Sequence, residues 1–338
     1  MTIVLAVVAG GALGFVLSRG DFCFHSTWRR LFQDPPHTSL LRAYATLLLV
    51  ATPVVQIFLA TDLLDPFIPP FTPWAAIIGG LIFGIGMVIA QTCVSGMFYK
   101  LGSGMLGMIV AIVAWAIGDL LVWRGGLSGL RTSLTERVVT TSADDGSVDV
   151  ATMTSVFGAF GVVLVIVAAL AIAAWVMRDD AVHTGPVVGD DRPPPLDGIP
   201  LGVATGGVII LAWLLVRWHG FDYAYGTSSV PSQLWGRIVD GTDTPMWIPV
   251  ALISVVPGAL AAAVVGNRLW VRDETAFRYI QLGAGGLVMG VGAGIAGGCN
   301  LGHSMVGVPL LSIGSIVTTI AIATGVWVGH RASQLIRF

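Results

Sequence analysis

Three cysteines, Cys23, Cys93 and Cys299, are the side chains in this sequence best suited to chemistry. Their odd number and wide spacing argue against a disulfide framework, and no C-x-x-C zinc or redox motif is present. A thiol offers a weak S–H donor and a soft sulfur acceptor, which suits a soft, sulfur-containing ligand. The plainer reading of a lone cysteine is a small buried apolar residue. Two of the three depart from it by their setting. Cys93 lies in Ala90-Gln91-Thr92-Cys93-Val94-Ser95-Gly96, and Cys299 in Gly297-Gly298-Cys299-Asn300-Leu301-Gly302-His303. A shift of 206 (299 − 93 = 206) also lays Gly79 on Gly285, Gly80 on Gly286, Gly84 on Gly290, Gly86 on Gly292, Ala90 on Ala296 and Gly96 on Gly302. Cys23, within Gly20-Asp21-Phe22-Cys23-Phe24-His25, reads as a degenerate third copy and is equally consistent with site or core.

The neighbours of these cysteines define a second set of candidates. Gln91 and Asn300 can donate hydrogen bonds to an anion or pack one copy against the other. His303 can contact a ligand or brace a turn, and the structural role is the leading one. Lys100 reads first as a topology determinant and second as an attractor of anions. Gly96, Gly298 and Gly302 belong to stretches too short and glycine-rich to be full spans, so turns or half-helices are predicted there. Helix N-termini and backbone N–H groups in such stretches can face an anion. Asp119 is predicted near the outer membrane interface beside Trp123, and Trp123, Trp213 and Trp218 read as interface anchors. No catalytic residue set, metal ligand cluster or cofactor motif is expected.

The elements that must hold these residues follow from composition. Of 338 residues, 55% are apolar and only 11% charged, where a soluble chain carries about a quarter charged. The pattern is that of an all-α polytopic membrane protein. The net charge of −2 gives no support for nucleic-acid binding. Nine spans are predicted: Thr2 to Ser18, Leu40 to Ala60, Trp74 to Ala90, Met105 to Trp123, Thr154 to Met177, Ile199 to Trp218, Met246 to Gly266, Tyr279 to Ala296, and Leu311 to Gly329. The first is read as a retained span and not a signal peptide. With the amino terminus outside, twelve Lys and Arg residues fall on the cytoplasmic side and five outside, so that orientation is expected. The two cysteine copies then end spans running in opposite directions, as in transporters built from inverted repeats. The expected division is a first membrane half over residues 1–178, a polar, proline-rich cytoplasmic linker over 179–198, and a second half over 199–338. The loop Gly125 to Val150 reads as solvated.

Gly298-Cys299-Asn300-Leu301-Gly302-His303, with Phe22-Cys23 and Ala90-Gln91-Thr92-Cys93-Val94-Ser95-Gly96, resembles the signature of the YeeE/YedE family of sulfur transporters. The resemblance covers most of the membrane portion. It implies nine spans plus short re-entrant helices, an hourglass shape, inner-membrane uptake of thiosulfate, and a pathway lined by Cys23, Cys93 and Cys299 with Cys93 at its centre. It also implies a small cytoplasmic sulfur-carrier protein as a partner, besides membrane lipid. Thr92 departs from the pattern, standing where a glycine often precedes the central cysteine. Two other functions stay open at this point: a membrane sulfurtransferase or thiol oxidoreductase forming a persulfide on Cys93, and transport of a selenium compound.

Overall fold

Helices occupy all nine of the predicted spans. A computed structural model of the chain describes residues 2–33, 36–142, 148–178, 195–218 and 221–336. In chain order the first half holds α1 (Thr2–Gly20), α2 (Phe24–Leu31), α3 (Ser39–Ala60), α4 (Pro73–Ala90), α5 (Val94–Gly102), α6 (Met108–Trp123) and α7 (Ser128–Thr135). A hairpin of β1 (Thr140–Ser142) and β2 (Val148–Val150) leads to α8 (Met153–Val176). The rest is α9 (Gly198–Arg217), α10 (Val230–Ile238), α11 (Trp247–Val265), α12 (Ala276–Ala296), a π-helical segment (Leu301–Gly307) and α13 (Ile313–Ile336). Among the described residues, eight helical stretches are long and apolar enough to cross a bilayer alone. The fourth span is shorter than predicted. α6 has 16 residues and reaches spanning length only together with α7, from which it bends by 64°. Met105 is drawn instead into a bridge with Arg272, and Gly104 just before it takes φ +103°.

The chain is a multi-pass membrane protein, and its outer surface agrees with that. Ile109, Val113, Ile117 and Leu121 recur at helical spacing on α6 and are all exposed, a stripe that suits lipid. α8 buries only Gly161 and Val176 among its 24 residues. The Gly125 to Val150 loop is more ordered than predicted, since it contains α7 and the β1–β2 hairpin, with residues 143–147 outside the description. Residues 179–194 of the expected linker also lie outside the described residues.

Glycine sets the packing at the centre. Without a hydrophobic force between helices in lipid, close backbone approach supplies the attraction, and small residues permit it. α4 and α12 lie antiparallel. A β-carbon at Gly79 would meet Ala296 N at 2.5 Å and Gly292 O at 2.8 Å, while one at Gly285 would strike Ala90 and one at Gly86 would meet Met289 N at 2.7 Å and Gly285 O at 3.1 Å. The contacts exchange under the 206-residue shift: Gly79 meets Ala296, and Gly285 meets Ala90. The flanking helices repeat the exchange. Gly84 of α4 meets Gly325 of α13, and Gly290 of α12 meets Gly118 of α6. Farther out, Gly10 and Gly14 of α1 pack on Ala251 and Val255 of α11, whereas Gly202 and Gly206 of α9 pack on Ala43 and Leu47 of α3.

Candidate functional site

Each cysteine sits in a break of three or four residues between a spanning helix and a short one. All three breaks begin the same way. Asp21, Gln91 and Gly297 adopt left-handed backbone, with φ of 46°, 53° and 78°. This conformation ends a helix by turning its last carbonyls toward later N–H groups. The cysteine follows two residues later in each case: Cys23, Cys93 and Cys299. Cys23 and Cys93 are then the residues that begin α2 and α5, with extended backbone at φ −118° and −108°. Cys23 thus belongs with the other two by backbone geometry. The sequence carries no sign of this, because Asp, Gln and Gly share no side-chain character.

The structure brings Cys23 and Cys93 together. Both are fully buried free thiols, and Cys23 donates to Cys93 Sγ at 3.4 Å. Cys93 Sγ also accepts from Gly96 N at 3.4 Å and lies 3.3 Å from Ser95 Oγ. Gly96 has no room for a side chain: a β-carbon would fall on Thr92 Oγ1 and lie 3.1 Å from Cys23 Sγ. Thr92 donates to Cys93 O at 3.3 Å and is 4.0 Å from Cys23 Sγ. Cys299 stands apart, and its sulfur accepts from Leu301 N at 3.2 Å.

The remaining candidates serve mainly to hold these loops. His303 Nε2 faces Ala296 O at 3.2 Å and Nδ1 faces Ser315 Oγ at 3.0 Å. A carbonyl can only accept, so Nε2 carries the proton and Nδ1 accepts from the serine. The ring thereby ties the end of α12 to α13. It also explains Gly298, where a β-carbon would meet the imidazole at 2.7 Å. The first copy has Met97 at the matching position (303 − 206 = 97), and there Thr92 replaces the glycine. Asn300 Nδ2 donates to Met87 Sδ at 3.1 Å, and its Oδ1 accepts from Ser304 Oγ at 3.3 Å, so it packs the second copy onto α4. At Gly302 a β-carbon would find its nearest atoms at 4.0 Å, so that position is open. Lys100 occupies the last turn of α5, at the opposite end from Cys93, and forms no ion pair among the described residues.

Two cavities approach these breaks from opposite ends of the α4–α12 pair. The first, about 730 Å³, is lined by His25, Arg29, Gln91, Gln281 and His330 among others. It meets the carboxyl end of α4 and the amino end of α12. His25 and Gln91 are each two residues from a cysteine of the pair. The second, about 410 Å³, is lined by Thr72 at the start of α4, Ala296 at the end of α12, and Thr227, Gly298, Gly302 and His303. It reaches the Cys299 loop. Thr227 is fully buried, with its side chain beside the Cys299 thiol.

Sequence reasoning placed two residues differently. Trp213 is fully buried in the core, stacked edge-on against Tyr223 at 5.9 Å, and is no interface anchor. Asp119 is also fully buried. Its Oδ2 has no partner and its Oδ1 has only long contacts, 3.4 Å each, to Ser228 Oγ and Ser229 N. A nearby tryptophan and arginine in the sequence suggest an interface; the fold instead brings Ser228 and Ser229, just ahead of α10, onto the carboxylate.

The chain is 28% identical over 332 residues to "Thiosulfate transporter TsuA" of Spirochaeta thermophila, covering 95% of this chain and 96% of the relative. It is 27% identical over 341 residues to "Thiosulfate transporter TsuA" of Escherichia coli, covering 96% and 93%. A shorter match, 31% over 136 residues and 39% of this chain against 33% of the relative, is to "Probable transporter YedE" of Salmonella typhimurium. The family model described as sulphur transport matches residues 19–328, which include all three cysteine breaks, and the chain therefore belongs to the sulphur transport family.

Proposed function

We propose that this protein carries a sulfur-containing inorganic anion, thiosulfate in the first place, across the cell inner membrane, and that Cys23, Cys93 and Cys299 handle the ion. The observation that carries the reading is the pair of cavities at opposite ends of α4 and α12, each ending against a cysteine-bearing break. Two full-length relatives named for thiosulfate transport support the substrate. Thiosulfate has hard sulfonate oxygens and one soft terminal sulfur. Backbone N–H groups and hydroxyls suit the first, and weak S–H donors suit the second. Weak contacts also allow release, which a transport site needs as much as binding.

In this reading the second cavity opens outside and the first toward the cytoplasm, following the twelve-to-five distribution of Lys and Arg. The ion enters past Cys299, meets the Cys93–Cys23 pair, and leaves by the cavity lined with Arg29 and His25. A small cytoplasmic sulfur-carrier protein would receive it there. The two halves act as inverted copies. Support comes from the exchanged glycine contacts, and from α8, a single peripheral span between two sets of four, which reverses the direction of the second set. Carrying two negative charges inward against a negative-inside potential costs about 4.6 kcal/mol per 100 mV, so the ion needs a compensating charge or a chemical sink. The test is uptake of labelled thiosulfate into proteoliposomes, with sulfate and selenite as competitors. Saturable uptake blocked by excess unlabelled thiosulfate is expected, and its absence in correctly inserted protein would remove the reading.

A further inference from the structure

Asp119 is, among the described residues, the one buried acid that the pathway above does not use, and it lies one hydrogen bond behind the wall of the second cavity. Ser228 and Ser229, which line that cavity, contact its carboxylate, and the Trp123 indole stands beside it. No cation lies within ion-pair distance among the described residues. Arg131 is the charged group nearest in effect, but its guanidinium is held elsewhere, 3.7 Å over the Trp123 ring and donating to Gly294 O at 3.2 Å. From α12 the neighbour of Asp119 is Gly290, which has no side chain. The other titratable groups on the cavity are His303, held by Ser315 and Ala296, and Tyr223, which donates to Gly302 O at 2.8 Å.

Hydrogen-bond polarity decides what this arrangement can do. Ser228 Oγ accepts from Trp123 Nε1 at 3.2 Å and has a single proton to give. An ionised Asp119 can only accept, so it claims that proton. An oxyanion in the cavity can also only accept, and the same hydroxyl is the donor facing it. One proton cannot serve both. Protonation of Asp119 reverses the chain: the carboxyl O–H donates to Ser228 Oγ, and Ser228 donates to the anion. The serine oxygen then accepts from Trp123 and Asp119 and gives its own proton to the anion. It also removes repulsion between a carboxylate and a dianion in a poorly screened site.

We propose that Asp119 is a proton site coupled to the anion through Ser228, so that binding of a sulfur oxyanion in the second cavity takes up a proton at Asp119. This rests on the reading of that cavity as an anion site. By linkage, the proton and the anion each strengthen binding of the other. Over the pH range in which Asp119 is ionised in the empty protein and protonated in the anion-bound one, anion affinity falls about tenfold per pH unit.

The experiment is calorimetric titration of the full-length protein in nanodiscs with sodium thiosulfate, in buffers of differing ionisation enthalpy at several pH values. Wild type should bind with buffer-dependent heat corresponding to net proton uptake. Asp119→Asn keeps a donor toward Ser228, so it should bind thiosulfate with no proton uptake and with affinity that no longer falls with pH. Ser228→Ala, which breaks the relay, should lose most of the uptake. Thiosulfate binding by wild type with no buffer dependence would overturn the proposal and leave the anion site standing. Equal proton uptake by Asp119→Asn would place the proton on another group such as His303, and would also overturn it. No thiosulfate binding at all would remove the anion site and the proton site together.

Discussion

Gly96→Ala tests the cysteine pair without touching a sulfur. Gly96 lies in the first turn of α5, where exchanging glycine for alanine in open space gains about 0.5–1 kcal/mol from backbone entropy. Space here is not open. The new methyl would fall on Thr92 Oγ1 and lie 3.1 Å from Cys23 Sγ and 3.4 Å from Cys93 Sγ. Overpacking of this kind costs about 1–3 kcal/mol. The two effects together leave a net loss on the order of 1–2 kcal/mol, and the Cys23–Cys93 contact at 3.4 Å is the one displaced. The thermal midpoint in detergent and thiosulfate uptake in proteoliposomes should both fall, measured on the same preparations. Gly207→Ala is the control, because a β-carbon there meets nothing within 4 Å; it should be neutral or slightly stabilising. Adding Thr92→Ala to Gly96→Ala should recover part of the stability, since the hydroxyl is the hardest contact. A Gly96→Ala protein as stable as wild type, with wild-type uptake, would refute the packing argument and the role assigned to the thiol contact.

Three further outcomes are expected. Gly79→Ala and Gly285→Ala should each lower the thermal midpoint by similar amounts, about 1–3 kcal/mol of stability, because each methyl meets the backbone of the opposite helix at the exchanged position; a loss at one and none at the other would count against inverted halves. Mild peroxide should join Cys23 to Cys93 and stop uptake, with reductant restoring it and mass spectrometry finding Cys299 still free; a cross-link that includes Cys299 would contradict the geometry. A reporter active only in the cytoplasm should give signal when fused after Phe338 and none when placed between Gly125 and Val150, and the reverse pattern would invert the topology.

The spans were legible because a bilayer demands long apolar runs, and α3, predicted as Leu40 to Ala60 and found as Ser39–Ala60, shows how little else sets a boundary. The 206-residue register was legible because glycine is needed where two backbones touch, so Gly79, Gly86, Gly285 and Gly292 recur wherever α4 and α12 meet. What stayed hidden depends on neighbours distant in sequence. Nothing at Cys23 indicates that Cys93 will lie 3.4 Å away, since the left-handed turn before each cysteine is made by a different residue. Trp213 looks like other membrane tryptophans, and only the Tyr223 ring beside it decides that it is core. Asp119 looked interfacial because Trp123 and Arg124 follow it, but burial is set by the α10 loop more than a hundred residues later. Gly298 looked like part of a half-helix, and its specific reason, the His303 ring, became visible only in three dimensions.

The most direct test of the account is thiosulfate uptake by Cys93→Ala. Alanine keeps the small apolar volume, so a purely packing role allows a loss of only about 1 kcal/mol for so slight a truncation. It removes the sulfur that accepts from Cys23 and Gly96 and its own S–H donor. Cys93→Ala, inserted and monodisperse in detergent, should therefore take up no thiosulfate in proteoliposomes that support uptake by wild type, and Cys93→Ser should recover little, because its hydroxyl is a harder partner for a terminal sulfur. A monodisperse Cys93→Ala protein that takes up thiosulfate at the wild-type rate would contradict the claim that this thiol handles the ion.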